Sequence, residues 1–127
     1  MNIPTNLKYT NTDEWVLVDG NTATIGVTDH AQEQLSDVVF VEITVNVGDK
    51  LAKKTTIATV ESVKAAADVN LPVSGKVIAI NEDLPQTPEL VNTDPYGKAW
   101  MIKVELDNPA ELDALMDAAG YEKHTKE

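Results

Sequence analysis

Lys64 stands in the run Val60-Glu61-Ser62-Val63-Lys64-Ala65-Ala66-Ala67-Asp68-Val69-Asn70, between two stretches of strand-like residues. Gly48 lies sixteen positions before it and Gly75 eleven after. Read as structural turn residues, these glycines bound a hairpin that offers a single primary amine at its tip. A lysine amine is protonated at neutral pH and is a poor nucleophile until its proton is removed. An exposed tip supplies no desolvation to help, so intrinsic Schiff-base chemistry is disfavoured. Acylation by a separate enzyme asks only that the amine project clear of its neighbours from a fixed backbone. Val63 before it and Ala65, Ala66 and Ala67 after it leave no long side chain in competition. The plainer reading is a solvated surface lysine, the ordinary fate of lysine in a turn.

Other chemistries find less support. The chain has no cysteine, which excludes disulfides, thiolate metal sites and cysteine nucleophiles. Its two histidines, His30 and His124, stand in no metal-ligand spacing, so no metal is expected. No Gly-x-Ser-x-Gly elbow and no glycine-rich phosphate loop is present. Twenty-one carboxylates guarantee pairs by chance and read best as a solvated acidic surface. No catalytic residue is assigned, and a self-contained enzyme is not expected. The formal net charge of −11, with ten lysines and no arginine, argues against a phosphate-backbone partner and for basic protein surfaces. No apolar run is long enough to span a bilayer. The first residues lack the features of a signal or transit peptide. The expectation is a cytoplasmic protein bound neither to nucleic acid nor to membrane.

The elements that must hold Lys64 follow from period-two alternation. At 127 residues the chain suits one domain, 1–127. Glu14 to Asp19 and Thr22 to Val27 read as strands joined by the Asp19-Gly20-Asn21 turn. Val38 to Ile43 reads as a more buried strand. Thr56 to Val63, Asp68 to Leu71, Lys76 to Ile80 and Trp100 to Leu106 complete the set. In the last of these, Met101, Lys103 and Glu105 are expected to face away from Trp100, Ile102, Val104 and Leu106. A short helix is expected near 28–35, capped by Thr28 or Asp29. A second helix is expected near 109–119, with Asn108 as cap, Pro109 at its first position and an apolar stripe of Leu112, Leu115, Met116 and Ala119. Gly120 would end it, leaving Tyr121 onward as a polar tail. Residues 81–98, with three prolines, read as loop holding at most one helical turn near 88–91. The fold class is mainly β, a flattened barrel or sandwich of two hairpin-rich halves.

Glu61-Ser62-Val63-Lys64-Ala65, with Gly48 and Gly75 at their spacings, resembles the attachment hairpin of lipoyl-carrier domains. More closely, the chain is similar to the H proteins of the glycine cleavage system. The likeness runs through Glu14-Trp15-Val16, Ala23 to Gln32, Asp37 to Glu42, Pro72 to Val77, Pro88 to Asn92, Asp94 to Gly97 and Trp100 to Lys103. Departures lie elsewhere than the hairpin. Asp13 stands where the family usually has histidine, Ser36 where it has glycine and Leu71 where it has serine. Ile43-Thr44-Val45-Asn46 lacks the customary Leu-Pro.

The resemblance implies a barrel-sandwich hybrid carrying lipoic acid in amide linkage on Lys64. Glu61, Ser62, Val63 and Ala65 would form the attachment hairpin, while Glu14, Thr12 and Asp68 would offer a candidate docking cleft for the arm. It further implies a non-catalytic carrier in glycine catabolism and one-carbon metabolism. Such a carrier takes an aminomethyl group from the P protein (glycine decarboxylase) to the T protein (aminomethyltransferase), and its reduced dithiol to the L protein (dihydrolipoamide dehydrogenase). The acyl group would come from a lipoate ligase or a lipoyl or octanoyl transferase, and a shuttling carrier would be a monomer. A mitochondrial matrix location would apply to a processed mature form. Two alternatives stay open: an H-like protein relaying lipoyl groups to other enzymes, and an unmodified acidic β-domain that binds protein partners. Biotinyl domains usually flank their lysine with methionine, and lipoyl domains of 2-oxoacid dehydrogenases usually read Asp-Lys-Ala; neither pattern is present.

Overall fold

A computed structural model describes residues 2–126. The strands are β1 (Lys8–Tyr9), β2 (Glu14–Asp19), β3 (Thr22–Val27), β4 (Val38–Ile43), β5 (Lys50–Leu51), β6 (Thr56–Ser62), β7 (Ala66–Asn70), β8 (Gly75–Ile80) and β9 (Ile102–Leu106). They form two antiparallel sheets that do not close into a barrel. One runs β1-β2-β3-β9-β8-β5 and the other β4-β6-β7. The chain is mainly β with few short helices, as its alternation implies.

One apolar cluster joins the sheets. Val16, Ile25, Val77, Ile102 and Val104 come from the larger, and Val41, Ile57, Val60 and Val69 from the smaller. A second cluster of Leu7, Tyr9, Trp15 and Tyr121 lies on the other face of β2. Trp15 and Val16 are therefore both buried, on opposite faces, and the strand reaches solvent only from Leu17 onward. Gly26 sits across from Trp15, and a Cβ there would come within 2.7 Å of the indole ring.

Helix α1 (Asp29–Leu35) forms where expected, with the Thr28 hydroxyl accepting from the Ala31 N–H. Its end is less ordinary. Ser36 has φ 64° and ψ −147°, a region that glycine enters freely and L-residues enter at a cost of about 1–3 kcal/mol. We expect Ser36→Gly to stabilise the protein by about 1 kcal/mol, net of the entropy glycine loses on folding. A rise of a few degrees in the thermal midpoint would show it.

Four expectations need correction. The strand Val38–Ile43 is not mostly buried: a bulge sets Val39 and Phe40 together against Glu61, and both are exposed. Met101 does not face outward with Lys103 and Glu105; it lies outside β9 and is buried in the main core. Residues 81–98 hold two helical pieces, the 3-10 turn Leu84–Gln86 and α2 (Leu90–Thr93). The helix expected over 109–119 is divided. A 3-10 segment spans Pro109–Ala114, Leu115 is extended, and α3 runs over Ala118–Thr125. The break has a cause: the Met116 N–H and C=O pair with the Tyr9 backbone, both at 2.8 Å. The Asp117 carboxylate then caps a new helix at the Gly120 N–H. Gly120 thus lies inside α3, and Tyr121, expected in a polar tail, is 0% exposed.

Candidate functional site

Lys64 lies at the tip of the β6–β7 hairpin, and serine chemistry builds the tip. The Ser62 N–H donates to the Ala65 carbonyl at 2.7 Å. The Ser62 hydroxyl accepts from the Lys64 and Ala65 N–H groups at 3.3 and 3.1 Å, and also lies 3.1 Å from the Ala65 carbonyl. Such a side-chain turn holds the backbone under the lysine without glycine. Neither Val63 nor Lys64 has a positive φ. The Val63 N–H donates to the Asp37 carbonyl, tying the tip to the start of β4. Lys64 is exposed, Val63 is 71% exposed, and the ion pair among the described residues is elsewhere, Lys126 with Glu122. The amine therefore stands on a fixed backbone with no carboxylate bound to it. Glu61 pairs across the hairpin with Ala66, its neighbour across β4 being Phe40.

Of the two glycines, Gly48 is a true turn residue with φ 97°. Gly75 is not in a turn. It opens β8, pairing with Leu106 on one side and Leu51 on the other, and a Cβ there would lie 2.5 Å from the Glu105 carbonyl oxygen.

Two cavities lie along the hairpin. One of about 230 Å³ is lined by Ala65, Ala67 and Val69, by Leu35 of α1, and by Thr12 and Glu14. A larger one of about 540 Å³ is also lined by Thr12 and Glu14, and has Asn70, Leu71, Lys53 and Lys54 on its walls. Glu14 is 1% exposed, so it is no solvated edge residue. Its Oε1 accepts from the Thr10 hydroxyl at 2.6 Å and the Thr12 hydroxyl at 2.5 Å, and its Oε2 from the Asn70 N–H at 3.2 Å. Burial raises the Glu14 carboxyl above its ordinary value, and the neighbouring Asp13 pushes the same way; the three donors oppose this without cancelling it.

Thr12 and Glu14 are thus brought into direct contact. Asp68 borders the smaller cavity, but its carboxylate accepts from Thr59 on the next strand at 3.4 Å rather than joining them. Thr10 and Asn70 belong to the same cluster and escaped sequence reasoning. The Thr10-x-Thr12-x-Glu14 spacing is a faint signal for the first. The Asn70 contribution is a backbone amide and has no side-chain signature. Among the described residues no group of histidine and carboxylate side chains could hold a metal, and no helix is long and apolar enough to cross a membrane.

The burial of Glu14 has a pH consequence. A carboxyl raised on folding costs nothing below its unfolded value, near 4.5. Its cost appears as pH climbs through the raised folded value. We expect Glu14→Gln to remove this dependence, so that the stability of wild type relative to the variant falls across that window. Denaturant midpoints at matched pH measure it, and parallel profiles would count against a strained Glu14.

The chain matches the family model described as glycine cleavage H-protein over residues 7–127. A glycine cleavage system H protein of Carboxydothermus hydrogenoformans is 52% identical over 125 residues, covering 98% of this chain and 95% of that protein. A mitochondrial glycine cleavage system H protein of Oryza sativa subsp. indica is 51% identical over 121 residues, covering 95% of this chain and 73% of that one. Among solved structures, a glycine cleavage system H protein from Mycobacterium marinum superposes with a TM-score of 0.88 at 29% identity, covering 98% and 100% of the two chains.

Proposed function

Since the chain belongs to the glycine cleavage H-protein family, we propose that it is the lipoyl-bearing carrier of a glycine cleavage system, with Lys64 as the attachment residue. The observation that carries this reading is an amine with no ion-pair partner among the described residues, on the Ser62-built tip beside a cavity that begins at Ala65 and ends at Glu14.

The residues present fit a lipoyl arm. Ala65, Ala67, Val69 and Leu35 offer an apolar wall to a methylene chain, while Thr12 and Glu14 offer hydrogen-bonding groups at its end. When attached, the lipoyl group supplies a reversible dithiol–disulfide that takes an aminomethyl group from the P protein to the T protein and is reoxidised by the L protein. The chain's own part is tethering, which raises the local concentration of the arm at each partner. It also shelters the arm: an ionised Glu14 in a site shielded from water attracts an ammonium group more strongly than it would in solvent. Glu61, Ser62, Val63 and Ala65 present the lysine to a lipoate ligase or acyl transferase. The whole chain acts as one non-catalytic carrier domain and works as a monomer, in the bacterial cytoplasm or, for a processed form, the mitochondrial matrix.

The test is intact mass. After incubation with a lipoate ligase, ATP and lipoate, the protein should gain one lipoyl increment and Lys64→Ala none. Absence of the increment from the wild-type protein would sink the carrier reading. A second result addresses Glu14. Glu14→Gln should shorten the lifetime of the aminomethyl-loaded protein about tenfold, the factor carried by ~1.4 kcal/mol and modest for a hydrogen bond to a charged group.

A further inference from the structure

Thr10 to Glu14 runs from the end of β1 into the first residue of β2, and its conformation is unfavourable on its own. Asp13 has φ 71°, a region that aspartate tolerates better than most residues but still enters at a cost. That kink turns Glu14 inward, so what holds Asp13 also sets the carboxylate. The Asp13 N–H donates to the Thr10 carbonyl, and its own carbonyl accepts from the Thr28 N–H. The third hold comes from far along the chain: the buried Tyr121 hydroxyl donates to Asp13 Oδ1 at 2.7 Å.

With its one proton committed to Asp13, the Tyr121 oxygen must accept from the Thr28 hydroxyl, 2.7 Å away. Thr28 in turn accepts from the Ala31 N–H. A directed chain of hydrogen bonds therefore runs from the start of α1 through Tyr121 to Asp13. The Tyr121 ring stacks on Tyr9 with centroids 4.7 Å apart, and the His124 ring nitrogen lies 3.2 Å from the Asn11 carbonyl. Helix α3 thus grips this segment at Asn11 and Asp13 and the end of β1 at Tyr9, yet none of its residues lines either cavity.

We propose that Tyr121, acting through Asp13, is a positioning residue that sets Glu14 and Thr12 at the meeting of the two cavities, making α3 part of the arm's resting site without touching the arm. The proposal rests on the reading of Glu14 given above. It extends that reading to a residue more than a hundred positions away. It also gives Asp13 a task, since its side chain can accept from a tyrosine while its backbone holds a positive φ.

The test uses the full-length apo chain and follows the Glu14 carboxyl carbon by NMR as pH is varied. Titratable groups sharing a cavity with Glu14 are Asp13 on its own segment, Tyr9 of β1, Lys53 and Lys54 around the larger cavity and Asp68 at the smaller. Tyr121→Phe removes the hydroxyl and keeps the stacked ring. Loosening the segment should let water reach Glu14 and lower its midpoint toward the ordinary range, by about half a unit or more. In aminomethyl-loaded protein the same variant should shorten the lifetime as Glu14→Gln does, and the double variant should be no worse than either.

Asp13→Asn and Asp13→Gly provide a second comparison should Tyr121→Phe fold poorly. Both tolerate the positive φ and both lose the charge, but only asparagine keeps an acceptor for Tyr121. The glycine variant should therefore have the lower Glu14 midpoint. Unchanged midpoint and lifetime in Tyr121→Phe, or equal midpoints in the two Asp13 variants, would overturn the inference while Glu14→Gln still shortened the lifetime. If Glu14→Gln left the lifetime unchanged, the shelter reading itself would fall, whatever the midpoints did.

Discussion

Lys64→Arg is expected to bring glycine-dependent turnover in a reconstituted system of P, T and L proteins down to background, with no lipoyl mass increment on the variant. Its thermal midpoint should stay within about 1–2 °C of wild type, since exposed substitutions away from special features cost at most about 0.5 kcal/mol. The argument is local. A guanidinium keeps the charge and length of lysine but stays protonated and offers no amine for amide formation. Ser62 holds the tip through backbone groups, so the turn does not depend on the side chain at position 64. Loss of turnover with an intact fold therefore isolates the amine itself. A lipoyl increment persisting in Lys64→Arg would move the attachment to another lysine, with Lys53 and Lys54 the first to inspect because they border the larger cavity.

Gly75→Ala is expected to produce the largest loss of stability, about 3 kcal/mol and a fall of roughly 10 °C in the thermal midpoint. The added methyl would meet the Glu105 carbonyl oxygen at 2.5 Å and the Val104 side chain at 3.1 Å. Val104 belongs to the main core and Glu105 to a strand paired on both sides, so neither can yield without moving β9 against β8 or β3. Gly48→Ala makes the instructive contrast. Its Cβ would meet nothing within 4 Å, and only the φ of 97° opposes it. The cost there should be nearer 1 kcal/mol, the usual penalty for an L-residue in a left-handed conformation. Equal effects at the two positions, read from thermal melts, would show that close approach of strands is not what position 75 requires.

Much of the framework was legible because it depends on neighbours in sequence. The alternation from Glu14 to Val27, broken by Asp19-Gly20-Asn21, places β2 and β3 within a residue of where they lie. Thr28 was recognisable as a cap because its hydroxyl acts on an amide three residues later. The failures share the opposite property. The helix expected over 109–119 has sound local signals, but Tyr9 claims the Met116 backbone from the far end of the chain, and a strand bridge there excludes a continuous helix. Tyr121 sits among polar neighbours and is buried because Tyr9 and Thr28 wait for it. Val39 and Phe40 look like core residues, and the bulge that exposes them arises in register with β6.

By itself the sequence determined the chemistry available to this protein. It contains no thiol, no clustered metal ligands and no phosphate loop, and it sets a single lysine in a turn that its own preceding serine can build. These are properties of composition and of contacts spanning a few residues, which any conformation of the chain must respect. The surroundings of that lysine were decided only in three dimensions. Glu14 is buried because two threonine hydroxyls and an amide fifty-six residues away meet around it, and the cavities exist because β7, α1 and the Thr10–Glu14 segment face one another. Burial of a carboxylate costs free energy that only such converging donors offset, and convergence of distant segments is a product of the packed core rather than of local spacing. The amine could be read from the chain, whereas the shelter beside it had to be folded.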